Sequence, residues 1–240
     1  MTQLDPILRW LHVITGFLVL GSMIIPMVTK KGGRAHRRAG WVFVISMTIV
    51  CVSSAWMCLV AVIGYQGSSV TGRGTMSREF GIFLMVITLL SGNSTYSGIR
   101  VLRQKKRTTP NHHYLDLGFP ASLGLSSIAL GAWGLVEGNI LLIVFGGLGI
   151  ASSVRDLKMH LGIPTDKRYW WYVHMSHMFN ACISALTAFA VINSENLPDS
   201  IRSAVPEWFF WIAPSIVLAP ILILWRKRYE RQFSNNHGAA

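Results

Sequence analysis

Seven long apolar runs alternate with short polar segments along this chain. A membrane-spanning helix needs about 20 mostly apolar residues to cross a hydrocarbon core about 30 Å thick. Since lipid cannot hydrogen-bond to backbone groups, runs of this length are expected to be helical. The pattern therefore predicts an all-α fold, a polytopic membrane bundle of seven transmembrane helices. The predicted spans cover approximately residues 6–28, 41–64, 80–101, 117–136, 139–154, 169–193 and 206–225.

Lysine and arginine are concentrated in alternate connecting segments, and this predicts the orientation of the bundle. Only Arg9, Arg73, Arg78 and Arg202, of 22 basic residues, lie outside the segments that follow the first, third, fifth and seventh spans. Short cytoplasmic loops carry an excess of basic residues. The chain is therefore predicted to lie in a bacterial inner membrane, with its N-terminus outside and its C-terminus in the cytoplasm. The residues on the predicted cytoplasmic side are Lys30, Lys31, Arg34, Arg37, Arg38, Arg100, Arg103, Lys105, Lys106, Arg107, Arg155, Lys158, Lys167, Arg168, Arg226, Lys227, Arg228 and Arg231.

Composition agrees with a membrane protein and argues against other classes. Only 13% of the residues are charged, whereas soluble domains average about 25%. The net charge of +12 comes mainly from the basic connecting segments. The expected partners of this charge are therefore the anionic headgroups of the lipid bilayer rather than nucleic acid. We predict one seven-helix domain over residues 1–233 and a disordered tail over 234–240.

The sixth predicted span carries a polar stripe that would be costly against lipid. Its polar residues follow one another at intervals of 3, 3, 4 and 3 positions, which is the spacing of one helix face. Polar residues within a membrane helix normally face the bundle interior or a cavity. The stripe consists of His174, His177, Asn180, Ser184 and Thr187.

The third predicted span is the expected neighbour of that stripe. Thr88, Ser91 and Thr95 recur in it at intervals of 3 and 4, and its cytoplasmic half is unusually polar. We therefore predict that these three side chains line a cavity together with those of Asn180, Ser184 and Thr187.

Two features near the ends of the first span are further candidates for chemistry. His12 lies about four residues inside the outer boundary, as a ligand or as a hydrogen-bond partner of a neighbouring helix. The first basic loop brings Lys31, His36, Arg37 and Arg38 close together in sequence. Two interpretations of this loop remain open. It is either a turn that sets topology or an anion and headgroup site built from Lys31, Arg37, Arg38 and loop amides.

Other residues are predicted to have structural roles only. His112, His113 and His160 lie in polar segments and are expected to be exposed to solvent. Spans four and five are predicted to form a tight hairpin through residues 137–139.

The fifth span contains two pairs of small residues. Gly147 and Ala151 form one pair, and Gly149 and Ser153 form the other. Small residues four positions apart allow two membrane helices to approach closely. Both pairs therefore predict helix packing.

Two sequence blocks carry a resemblance to a known family. The first block is Leu11, His12, Gly16, Lys31, Gly32, His36, Arg37, Arg38, Ala39 and Gly40. The second block is His174, Met175, Met178, Ala185, Leu186, Thr187, Ala188, Phe189, Val191 and Asn193. Together they resemble a bacterial family of multi-pass membrane proteins of unknown function. The resemblance implies a membrane location and a shared seven-helix plan, and it implies no activity.

A weaker likeness concerns the first helix and the loop after it. His12 is followed by Lys31 and His36, which loosely fit a KxxxxH-like segment. This arrangement resembles the b561-type membrane cytochromes, which bind two haems. The resemblance implies haem b as a cofactor. This chain departs from the pattern because it lacks the clean set of four intramembrane histidines that such cytochromes use.

These observations leave four functional hypotheses open. The first is electron transfer by haem b or a metal, with a redox partner or a quinone. In it, His174 and His177 ligate or support the site, and His12 or His36 is their partner, since neutral imidazole suits iron, copper or zinc. The second is a zinc-dependent membrane hydrolase, which requires an acidic residue that no predicted span places beside the histidines. The third is a small-molecule carrier or binding protein, and the fourth is a scaffold with hydrogen-bonded histidines.

Overall fold

The chain forms a bundle of long helices in a computed structural model that describes residues 4–63, 76–194 and 196–235. Within those residues there are eight α-helices, one 3₁₀ turn and no strand. Seven of the helices are long and apolar enough to cross a membrane, which confirms the predicted all-α fold with seven spans. The helices are α1 (Leu4–Val28), α2 (Arg34–Val62), α3 (Arg78–Arg100), α4 (Tyr114–Glu137), α5 (Ile140–Leu161), α6 (Tyr169–Ser194), α7 (Asp199–Ala204) and α8 (Glu207–Asn235).

The helices extend beyond the apolar runs that predicted them. Helix α2 begins at Arg34 and α5 continues to Leu161. Hydrophobicity marks the part of a helix that lies in hydrocarbon, whereas backbone hydrogen bonds continue into the polar interface. Helix α8 reaches Asn235, so the first two residues of the predicted tail are helical. The rest of that tail, 236–240, and the connection over 64–75 lie outside the described residues.

Helices α4 and α5 form the predicted hairpin. Gly138 ends α4 with a φ of 65°, a left-handed conformation that favours glycine. The side chain of Asn139 then caps α5 by accepting a hydrogen bond from the backbone amide of Leu141 at 3.0 Å. This local chemistry reverses the chain within two residues.

Only one of the two small-residue pairs in α5 packs against α4. Gly149 lies against Ser127, since a Cβ atom at Gly149 would be 2.8 Å from the Ser127 Cβ. Gly147 and Ala151 are exposed, and a Cβ at Gly147 would meet no atom within 4 Å. The prediction for Gly147 and Ala151 was therefore wrong. Two residues correspond to about 200° of rotation in a helix, so the two pairs lie on opposite faces.

Helix α3 is the most buried of the seven spans. It packs against α2, α4, α5 and α6, and its buried side chains include many polar ones. This central position explains why its sequence is more polar than that of the outer helices, because it faces protein rather than lipid. The buried polar residues of α3 are Ser91, Asn93, Ser94, Thr95 and Ser97.

The connections rich in lysine and arginine share one end of the bundle. They comprise residues 29–33 after α1, 101–113 after α3, 162–168 after α5, and the last turns of α8. We call this the basic end. The side of the membrane on which it lies remains the prediction stated above.

Candidate functional site

A cavity of about 400 Å³ opens at the basic end of the bundle. Helices α1, α2, α3, α6 and α8 and the 3₁₀ turn Val101–Arg103 that follows α3 surround it. Its volume lies within the usual range of about 300–1,000 Å³ for sites that bind small molecules or cofactors. The lining residues are Met23, Pro26, Met27, Lys31, Gly32, His36, Arg37, Gly40, Trp41, Phe43, Val44, Ile99, Leu102, Arg103, Lys105, Trp170, Trp171, His174, Met175, Met178, Phe179, Cys182, Trp225 and Tyr229.

The lining combines an apolar body with cationic groups. Methionine, aromatic and aliphatic side chains supply most of the surface. Lys31, Arg37, Arg103 and Lys105 supply positive charge, and within the described part of the chain no Asp or Glu lines the cavity. The electrostatic character of the site therefore favours an occupant with an apolar body and negative charge.

Two imidazoles line this cavity, and both are held in the same way. The Nδ1 atom of His36 lies 3.2 Å from the carbonyl oxygen of Pro26. The Nδ1 atom of His174 lies 2.7 Å from the carbonyl oxygen of Gly98. A carbonyl oxygen can only accept, so each Nδ1 carries the proton in these hydrogen bonds. The Nε2 atom of each neutral ring then keeps a free lone pair, which makes it an acceptor or a metal ligand.

Lys31 closes the end of α1 beside His36. Its ammonium group donates to the carbonyl oxygens of Pro26 at 2.6 Å and Met27 at 2.7 Å. The same group lies 4.2 Å from the centroid of the Trp225 ring on α8. Burial lowers the pKa of Lys31, whereas the two carbonyls and the aromatic face stabilise its charged form. Lys31 thereby connects α1, the first loop and α8.

The structure separates the two histidines of the α6 stripe. His174 lines the cavity, but His177 does not. Its Nε2 atom lies 3.3 Å from Oδ1 of Asp156 on α5, and only 2% of the side chain is exposed. At about 100° per residue, Met178 and Cys182 lie to one side of His174 and His177 lies to the other. His174 and His177 therefore do not meet at one metal site.

The remaining predicted cofactor and anion residues are divided in the same manner. The Nδ1 atom of His12 lies 2.9 Å from the Ser53 Oγ on α2, which is the hydrogen bond to a neighbouring helix considered above. His12 does not line the cavity, and Arg38 does not either. Lys31 and Arg37 do line it.

The six threonine, serine and asparagine residues predicted to line a cavity lie outside this one. Thr88 joins α3 to α2 through a 2.9 Å contact with Ser54. Ser91 and Thr95 donate to backbone carbonyls one turn earlier in α3. On α6, the face that bears the stripe is turned away from the cavity, because successive polar positions continue on the His177 side of His174. The three α6 residues in question are Asn180, Ser184 and Thr187.

Two buried carboxylates near the basic end were missed by the sequence analysis. Asp156 accepts a hydrogen bond from Asn93 at 2.6 Å and faces His177. Asp116 accepts hydrogen bonds from Tyr96 at 2.6 Å and from Arg100 at 2.9 Å. Both acids lie just beyond the apolar runs, at positions 116 and 156, so hydropathy excluded them. The continuation of α5 past residue 154 was the one available signal for Asp156.

Exposure of the loop histidines agrees with the prediction at two of three positions. His112 and His113 are exposed, which confirms their predicted environment. The prediction for His160 was wrong, since only 1% of this residue is exposed. Helix α5 continues through it, and residues 107–111 fold over it. Asn111 contacts its Nδ1 atom, and Arg107 donates to its carbonyl oxygen.

Among the residues that the structure describes, no group of three His, Cys, Asp or Glu side chains is arranged to hold a metal ion. A site formed by protein side chains alone, of the kind that structural zinc uses, is thus not present in that part of the chain.

Comparisons with protein-family models, with curated proteins and with solved structures found no match.

Proposed function

We propose that this protein is a membrane haem protein that binds one haem b in the cavity at the basic end. His36 and His174 are the proposed iron ligands. The observation that carries this proposal is the pair of imidazoles on one apolar cavity, each with Nδ1 directed at a backbone carbonyl. Histidines that ligate metals usually donate their other ring N–H in this way, which orients the ring and makes Nε2 the ligand.

The chemistry of the lining fits a haem. A macrocycle is apolar and aromatic, and the cavity offers side chains such as Trp170, Phe179 and Trp225. Haem propionates are anionic, and the cationic side chains Arg37 and Arg103 are available to them. In the described residues neither Nε2 atom makes a hydrogen bond, so no existing partner has to be displaced.

The residues of this chain would hold and orient the group rather than react themselves. A haem b ligated by histidine supplies one-electron transfer. His36 and His174 come from α2 and α6, so ligation would also tie these two helices together. With the basic end on the cytoplasmic side of a bacterial inner membrane, the site would exchange electrons with a redox partner on that side or with a quinone.

Absorption spectra of the purified protein test this function. The protein is expressed with haem synthesis not limiting, purified in detergent and assayed for haem as the pyridine complex. We expect a Soret band in the wild type and its loss in His36→Ala and in His174→Ala, because each substitution removes one ligand. Matched controls are His12→Ala and His112→Ala, which change histidines outside the cavity and are expected to retain the haem.

Two results would contradict the haem proposal. One is a folded wild-type protein that carries no haem under these conditions. The other is equal haem content in the His174→Ala and His12→Ala variants.

A second candidate function is supported by the cationic lining. Among the described residues that line the cavity, four side chains are cationic and none is acidic, which also fits a carrier or binding protein for an amphipathic anion. Native mass spectrometry of the colourless protein would distinguish it. A bound lipid-like anion that is lost in Arg103→Gln would favour this candidate over haem.

A further inference from the structure

A second polar region lies on the opposite side of α6 from the cavity. We call it the polar column, and it joins α3, α5 and α6. Each of its side chains is buried, with at most 2% of its surface exposed. The column consists of Asn93, Ser97, Asp156, His160 and His177.

Direct contacts connect part of the column. The Nδ2 atom of Asn93 donates to Oδ2 of Asp156 at 2.6 Å. The Nε2 atom of His177 lies 3.3 Å from Oδ1 of the same carboxylate. Asp156 is thus bound from α3 and from α6 at once. Since a carboxylate only accepts, Nε2 of His177 carries a proton in this contact and Nδ1 is the second nitrogen.

Four atoms of the column have no hydrogen-bond partner among the described residues. They are the acceptor Oδ1 of Asn93, the hydroxyl of Ser97, Nε2 of His160 and Nδ1 of His177. Buried polar atoms in native proteins are normally paired with protein or with ordered water. Several unpaired polar atoms in one region are the feature expected of a site for internal water.

Helix geometry arranges these atoms along the axes of α3 and α5. Asn93 and Ser97 are one turn apart on α3, and Asp156 and His160 are one turn apart on α5. Ser97 and His160 are the members closer to the basic end. His160 then meets Asn111, whose Nδ2 atom lies 3.3 Å from Nδ1 of His160. Asn111 belongs to the connection before α4 and is partly exposed, so the column reaches the surface there.

We propose that the polar column is a hydrated proton path from the basic end of the bundle to Nδ1 of His177. A hydronium ion at the surface gives one proton to the internal waters, and these pass one proton to Nδ1. Water remains at the surface, and His177 becomes an imidazolium whose Nε2–H faces the Asp156 carboxylate. No electron moves in this transfer.

The charged surroundings of the column favour such a transfer. Asp156 supplies the negative charge that pairs with a cationic His177. Arg155 also approaches Asp156, at 3.4 Å, but half of its side chain is exposed to solvent. Near the entrance, Asn111 contacts both Nδ1 of His160 and Oδ2 of Asp116, and Arg107 donates to the carbonyl oxygen of His160. The path ends behind the cavity wall, because Met178 next to His177 lines the cavity. It does not depend on what occupies that cavity.

Hydrogen–deuterium exchange of the His177 ring tests the path. Protein labelled with ¹⁵N-histidine is reconstituted in lipid nanodiscs and transferred to acidic D₂O buffer, and exchange of the proton on Nδ1 of the cationic His177 ring is followed by NMR. In the wild type, we expect the His177 ring to exchange much faster than the backbone amides of α3 and α6 around it. In His160→Phe, which blocks the entrance with a ring of similar size, we expect exchange to slow by at least about tenfold, since it then requires local opening.

Further variants keep this test decisive. Ser97→Val removes one hydroxyl from the column and should slow exchange in the same direction if His160→Phe does not fold. His12→Phe makes the same change of ring at a site outside the column and should leave exchange unaltered. The proposal is overturned if the wild-type ring exchanges no faster than its neighbouring amides. It is also overturned if folded His160→Phe or folded Ser97→Val exchanges at the wild-type rate.

Discussion

Asp116 shows at the scale of single residues how this bundle accommodates a buried charge. Its carboxylate accepts hydrogen bonds from Tyr96, Arg100, Gln104 and Asn111, at 2.6 to 3.1 Å. These donors come from α3, from the connection after it, and from the segment before α4. A buried carboxylate is stable when its oxygens are satisfied and a cation is near. Asp116 therefore holds together the connection between α3 and α4.

Replacement of this carboxylate should be costly. We expect Asp116→Asn to destabilise the protein by about 3 kcal/mol, because the amide offers donors where several donors already converge and Arg100 loses its counter-ion. Unfolding midpoints in detergent, followed by circular dichroism, measure the effect. Asp199→Asn is the control, since the Asp199–Arg202 pair is exposed and such pairs contribute little. Equal midpoints for Asp116→Asn and the wild type would contradict this role.

At the scale of elements, the contact between α4 and α5 depends on glycines on one face of α5. A Cβ at Gly146 would lie 2.7 Å from the Gly131 Cα and 3.0 Å from the Ser127 carbonyl oxygen. These are backbone atoms, which cannot move away as a flexible side chain can. Gly147, the next residue along the helix, has open space around it. Neighbouring glycines in one helix therefore have different roles.

This difference gives a prediction with an internal control. Gly146→Ala should force α4 and α5 apart and lower stability by about 1–3 kcal/mol, the usual cost of overpacking. Gly147→Ala adds the same methyl group where it meets nothing and should not lower stability. Thermal unfolding of both variants in one detergent measures the effect. A Gly146→Ala variant as stable as Gly147→Ala would show that the helices do not pack this closely.

At the scale of the whole molecule, the positive charge and the openings of the two sites lie at the same end of the bundle. The basic connections, the cavity and the entrance to the polar column all lie at the basic end. Basic residues near membrane surfaces interact with anionic lipid headgroups. The charge pattern that predicts topology thus also predicts from which side both sites are reached.

Cysteine labelling tests that orientation. In a background in which Cys51, Cys58 and Cys182 are replaced by alanine, His112→Cys places a thiol in an exposed connection at the basic end. Ser203→Cys places one in α7, at the other end. A membrane-impermeant thiol reagent should label the Ser203→Cys protein in intact cells. It should label the His112→Cys protein only after the membrane is permeabilised, and the reverse pattern would refute the orientation.

The sequence predicts the helical bundle more completely than it predicts the two sites. Hydrophobic length is summed along contiguous residues, so the seven spans were predictable without knowledge of any neighbour. The spacing of His174 and His177 likewise showed that α6 has a polar face. It did not show which helix each ring meets, because that depends on packing between segments far apart in the chain.

The sequence by itself thus determined an all-helical bundle with seven spans and one basic end. Tertiary structure alone decided that His36 shares a cavity with His174, that His177 pairs with Asp156, and that His160 is buried. The physical reason is that these properties depend on interactions over different distances along the chain. Transfer from water to lipid acts on each segment separately, whereas a site is formed by side chains from different helices whose rotation and depth are set only when the helices pack.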